Sequence, residues 1–99
     1  MKHGHNSAAH RNQAEDLAAS ALGFLAADGE RINRFLSLSG IDPTGIRAAA
    51  SAPGFLIGVL DHLLGDEALL LEFAQDAGCR PEGVAAARAA LAGPEPWRE

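Results

Sequence analysis

The chain has a single cysteine, a single tryptophan and no tyrosine. One cysteine excludes an intramolecular disulfide and a zinc site built from several thiolates. No apolar run approaches the ~18 residues of a membrane span. The N-terminal segment Met1-Lys2-His3-Gly4-His5-Asn6 is polar, so a secretory signal is not expected. There is no glycine-rich phosphate loop, no acid–histidine metal spacing and no nucleophile elbow. Ser37, Ser39 and Ser51 have no base that the sequence makes evident, and no enzyme is expected. Cations are also in short supply. Thirteen acids stand against eight bases, a net charge of −5, which argues against a general nucleic-acid binder that must displace phosphate counterions.

The composition is nonetheless foldable, 47% apolar and 21% charged over 99 residues, fit for one domain with tails. Alanine and leucine dominate, and both are strong helix formers. β-Branched residues are few, so strands are not expected. Six helices are predicted. The first runs from Gln13 to Ala27, with Leu17, Ala21, Leu22 and Leu25 on one stripe. Asp28 caps the second, which passes Ile32, Phe35 and Leu36 and ends at Gly40. Asp42-Pro43 opens a third through Ala50. Phe55 to Leu64 form the fourth, Asp66 caps a fifth ending at Gly78, and Pro81 opens a sixth ending near Gly93. Residues 1–11 and 94–99 read as tails around a bundle over 12–93.

The chain also matches itself at an offset of 38. Leu22/Leu60, Leu25/Leu63, Asp28/Asp66, Phe35/Phe73, Gly40/Gly78, Pro43/Pro81 and Gly45/Gly83 are identical pairs, as are Ala48/Ala86, Ala49/Ala87 and Ala52/Ala90. They include capping Asp, C-cap Gly and first-turn Pro, so they are structural punctuation. The expected architecture is an all-α six-helix bundle made of two three-helix units, about 17–52 and 55–90. In that frame Phe35 and Phe73 are equivalent core residues. Cys79 takes the place of Ile41 as a small buried hydrophobe, and His62 takes the place of Phe24 as a packing histidine.

The corners at Gly40 and Gly78 resemble a helix-turn-helix, in which a small residue, a Gly four later and an apolar residue six after that let two helices cross. Ala74 fits that pattern and Leu36 departs from it. The second helices of these corners are poor in groups that read base edges: Pro43–Ser51 carries Arg47 and Pro81–Ala90 carries Arg88.

Charge is uneven. Residues 55–82 carry Asp61, Asp66, Glu67, Glu72, Asp76 and Glu82 against Arg80, which holds the whole net charge; the flanking segments balance. The same segment is the most apolar. Leu69, Leu70 and Leu71 cannot all face one side of a helix, since each step turns about 100°. Their partners at the offset are Arg31, Ile32 and Asn33, which makes Leu70 the core residue and Leu69 and Leu71 surplus. A surplus apolar pair points to contact with another chain.

The sequence therefore reads as a non-enzymatic, cytoplasmic interaction module without a cofactor. It meets a protein partner or a second copy through its fourth and fifth helices, with Leu69, Leu71, Glu72 and Asp76 as contact residues. The alternative is a nucleic-acid accessory factor using Arg31 and Arg47. A further alternative is Cu(II) or Ni(II) binding by the N-terminal amine, two amides and His3. Trp97, in Pro94-Glu95-Pro96-Trp97, is expected either to dock on the bundle or to serve as a short binding motif.

The runs Leu22-Gly23-Phe24-Leu25-Ala26-Ala27-Asp28, Arg34-Phe35-Leu36, Gly40-Ile41-Asp42-Pro43 and Leu64-Gly65-Asp66-Glu67-Ala68-Leu69-Leu70 resemble a family of short bacterial proteins, mainly alphaproteobacterial, called domain of unknown function 3572. The resemblance covers about residues 12–92. It implies a small soluble protein and brings no activity and no site residues.

Overall fold

A computed structural model describes residues 2–52 and 54–93 of the chain, with side chains for all of these except 2–10 and Pro43. Among the described residues all regular structure is helical: α1 (Lys2–Ala26), α2 (Gly29–Ser39), α3 (Ile46–Ala50), α4 (Phe55–Leu64), α5 (Glu67–Ala77) and α6 (Pro81–Ala92), with a 3-10 turn at Pro43–Gly45 ahead of α3. The all-α class agrees with the sequence, and the bounds of α4 are the predicted ones.

The punctuation works as its chemistry dictates. The Asp28 carboxylate accepts from the backbone N–H groups of Glu30 and Arg31 at 2.9 and 3.3 Å, and Asp66 accepts from Leu69 N–H at 3.2 Å. Each satisfies donors that the first helical turn leaves orphaned. At the other end of α2 and α5, Gly40 and Gly78 take the left-handed conformation at φ 73° and 71°. Ile41 N–H then reaches Leu36 O, and Cys79 N–H reaches Ala74 O, each at 3.0 Å. The two corners, related by the 38-residue offset, close with the same bond.

Two expectations change. The first helix begins at Lys2 and not at Gln13, so residues of the supposed N-terminal tail are helical. Polarity decides which face of a helix is buried and does not stop the backbone from coiling, and no proline interrupts residues 2–26. The first buried side chain among those described is Ala14, succeeded by Ala18, Ala21 and Leu25, the spacing of one helical stripe. The third helix is shorter than predicted. Asp42 holds the Pro43–Gly45 turn, its side chain accepting from Thr44 N–H at 3.1 Å and its carbonyl from Gly45 N–H at 2.8 Å. The α-helix proper starts only at Ile46 and closes at Ser51, since Pro53 disfavours a helical conformation at the residue before it. The α6 segment has no such stop and runs to Ala92.

The core is a single cluster. Phe35, Phe55, Phe73, Val59, Leu60, Leu63, Val84 and Leu91 join the α1 stripe. α1 packs on α2, α4, α5 and α6, and α4 and α6 pack on each other. Two aromatic contacts exchange under the offset: Phe24 meets Phe73 edge-on at 5.4 Å, and His62 meets Phe35 edge-on at 5.2 Å.

Candidate partner-contact site

The sequence placed the contact site on α4 and α5 through Leu69, Leu71, Glu72 and Asp76. The structure splits these residues. Leu69 is half-buried and packs against the core. Leu70, expected as the core residue, is likewise half-buried. Leu71 alone of the three stays open, 49% exposed. Glu72 lies 3.2 Å from the Arg31 guanidinium, and Asp76 is exposed on the next turn.

Arg31 is committed twice. Its guanidinium pairs with Glu72 and lies over the Phe24 ring, 4.2 Å from the centroid, a contact worth about 0.5–1 kcal/mol at such a site. It is therefore not the free cation that the nucleic-acid alternative used. Arg47 is exposed on the five residues of α3. Arg88, on the second helix of the other helix-turn-helix-like corner, is held by Asp61 through two bonds of 2.8 and 3.4 Å, and the hydrogen bond pushes its pKa up further. That helix, α6, is packed against α1 and α4.

The same pairings thin out the acidic face. Asp61 answers Arg88, Glu72 answers Arg31 and Glu82 answers Arg80, while Asp66 caps α5. Glu67 and Asp76 are left with no ion-pair partner among the described residues.

Leu38 is the residue that sequence reading missed. It is 68% exposed near the end of α2, and with Leu71 it makes up the exposed large hydrophobics of the described residues. The signal was available. Leu36 and Leu38 are separated by about 200° on a helix, so Leu36 in the core puts Leu38 outside, and at the offset Leu38 answers to Asp76.

Leu38 lines a groove with Arg34, Asp61, His62, Gly65, Asp66 and Glu67. A second groove is lined by Gly23, Phe24, Ala27, Arg31, Glu72, Gln75 and Asp76. The offset carries Gly23 onto Asp61, Phe24 onto His62, Ala27 onto Gly65, Arg34 onto Glu72 and Leu38 onto Asp76. The two grooves are thus equivalent in position and different in chemistry. The second is bridged by Arg31 on Phe24 and Glu72. The first has Leu69 where that arginine would stand, and no ion pair among the described residues bridges it. Leu71 lies one turn beyond Glu67 on α5, on the same face, so the apolar pair flanks the open groove.

His62 sits in this groove with its Nε2 buried and without a hydrogen-bond partner. Burial chiefly lowers its pKa below the ordinary 6.5; Arg34 lowers it further and Asp66 opposes both. Above pH 6.5 both folded and unfolded chains hold a neutral imidazole. Below it the unfolded chain binds the proton first, so stability falls as the pH drops from 6.5 toward the folded value. Asp61 and Glu67, the other charges lining this groove, act on both sides of the comparison. His62→Phe, which copies Phe24, should remove this slope. Urea denaturation at about pH 7.5 and about pH 5.5 checks it. An identical loss on acidification in wild type and variant would refute the assignment.

Ser39 donates to the Phe35 carbonyl at 2.6 Å, an internal helix bond. Cys79, expected to be buried, is half-buried against the core, as is Ile41 at the offset. Among the described residues no three His, Cys, Asp or Glu side chains gather as a metal site, and no helix is long and apolar enough to cross a membrane. The side chain of His3, and Trp97 altogether, lie outside the described residues.

Fold and surface together define a small helical bundle with one bridged groove, one open groove and an exposed leucine pair. The chain belongs to the family described as Protein of unknown function (DUF3572), whose pattern it matches over residues 11–94. No curated protein and no solved structure matches it.

Proposed function

We propose that the protein is a non-enzymatic interaction module that receives a protein partner on the α2–α5 face. The observation that carries this is the exposure of Leu38 and Leu71 beside a groove that the chain's own arginine bridges in the equivalent place but not here. Leu38 and Leu71 supply apolar area, and Glu67 supplies uncompensated negative charge at its edge. A partner suited to this face carries an apolar side chain flanked by a cation. Leu69 and Glu72 leave the contact set, Asp76 lines the bridged groove instead, and Leu71 stays in it.

Leu38→Lys with Leu71→Lys is the test. Both positions are exposed, so helicity and unfolding midpoint should hold within ~0.5 kcal/mol per site. Each leucine buried in a complex contributes about 1.5–3 kcal/mol, so affinity should fall by well over tenfold. A crosslinked pull-down from native extract, run on wild type and double variant with and without nuclease, reads the result. A protein band that resists nuclease and disappears with the variant supports the module. Equal capture by both proteins sinks it. Recovery that collapses on nuclease treatment favours the nucleic-acid reading through Arg47 instead.

A further inference from the structure

The open groove runs between α2 and α5, and each of these helices presents one charge and one leucine beside it. On α2, Arg34 and Leu38 stand one turn apart; on α5, Glu67 and Leu71 do the same. All four residues are exposed. Arg34, Leu38 and Glu67 line the groove itself. Arg34 and Glu67 nevertheless form no ion pair with each other or with any other described residue. The direction of the helices decides how the four are arranged. Arg31, near the start of α2, pairs with Glu72 in the second half of α5. Leu38, near the end of α2, shares the groove with Gly65, Asp66 and Glu67 at the start of α5. The two helices therefore run antiparallel. Leu38 stands across from Glu67 and Arg34 across from Leu71, so the leucines occupy one diagonal of the patch and the charges the other.

Resting on the reading of the α2–α5 face as a contact site, we propose that the partner it receives is a second copy of this chain. A two-fold axis laid along the leucine diagonal brings each leucine against its counterpart in the other copy. The same rotation sets Arg34 of each copy against Glu67 of the other. A closed two-fold contact needs a patch that is complementary to itself, and this patch is. The apolar side chain flanked by a cation that suits the face is present on α2 as Leu38 with Arg34. The equivalent groove has no such pattern: Glu72 is already answered by Arg31, and Asp76 stands in the place of Leu38. The patch is small and each copy carries a net charge of −5, so the dimer is weak and its population rises with concentration.

Sedimentation equilibrium of the purified full chain tests this. From ~10 μM to ~1 mM, in ~0.15 M salt that screens repulsion between distant charges, the mean mass should rise from one copy toward two. Arg34→Glu and Glu67→Arg each put like charges together in both symmetric contacts, so each should weaken self-association at least ~tenfold. Both positions are exposed, and circular dichroism verifies that the variants fold. Mixed in equal amounts, the two variants form both ion pairs again, one copy supplying two acids and the other two arginines. The mixture should therefore associate although neither variant does so alone. A mean mass of one copy at every concentration overturns the proposal. So does a mixture that associates no better than its components, or a dimer that survives Leu38→Lys with Leu71→Lys. A chain that is monomeric alone, yet in the native-extract pull-down loses a different protein with the leucine substitutions, overturns the second copy and leaves the contact face standing.

Discussion

Phe35→Ala should remove a large share of the protein's stability. Phe35 is 2% exposed and meets Phe55 at 6.0 Å and His62 at 5.2 Å, both edge-on. It is the ring through which α2 is fixed to α4. Removing a buried phenylalanine costs about 3–5 kcal/mol in lost transfer energy and residual cavity. A domain of this size has about 5–15 kcal/mol to lose. The urea midpoint should fall steeply, and a loss below about 1 kcal/mol would mean that the pocket collapses around the gap. Phe73→Ala, the partner at the offset, leaves Phe24 without its edge-on ring and should act in the same range.

The second large effect comes from adding atoms. Ala18 is fully buried in the stripe of Ala14, Ala18, Ala21 and Leu25 with which α1 faces its neighbours. Ala18→Leu forces three further carbons into a closed interface, an overpacking that costs about 1–3 kcal/mol and sometimes more. Ala19→Leu, one residue on and exposed, should stay within ~0.5 kcal/mol of wild type. Each kcal/mol moves the melting temperature of a domain this small by about 4–8 °C. Thermal melts of the two variants therefore separate widely. Equal melts would show that α1 moves outward freely and that its alanines are not there for close approach.

Much of the fold was legible because its signals are local. Asp28, Asp66, Gly40 and Gly78 act on their own helix ends, so the second, fifth and sixth helices fall where capping chemistry puts them. The third helix was not legible in the same way. Pro43 opens it as Pro81 opens α6, and Gly45 and Gly83 even make the same 2.8 Å bond. Their lengths diverge only further along the chain, where Ser51 and Pro53 stop one and an uninterrupted run carries the other to Ala92. The start of α1 was misjudged because a polar segment looks like a tail when only burial is considered.

The site was less legible than the fold. That one of Leu69, Leu70 and Leu71 must face outward came from helical geometry. Which one did not, because that depends on how α5 is turned against the core. Arg31 and Glu72 each read as free charges, and their pairing spans a sequence separation of 41 between α2 and α5. Acidic excess in a segment says nothing about which of its carboxylates are already answered. Leu38 was missed although the angular argument applied to Leu69–Leu71 would have found it.

The packing of the first helix on the last has a consequence for biosynthesis. The alanine stripe of α1 leaves the ribosome early, yet α6, one of the helices that cover it, is complete only at Ala92. At ~5–20 residues per second, α1 waits several seconds with that apolar stripe lacking its final cover. A stripe of methyl groups offers little area for errant association in that interval, where a stripe of leucines would offer much more.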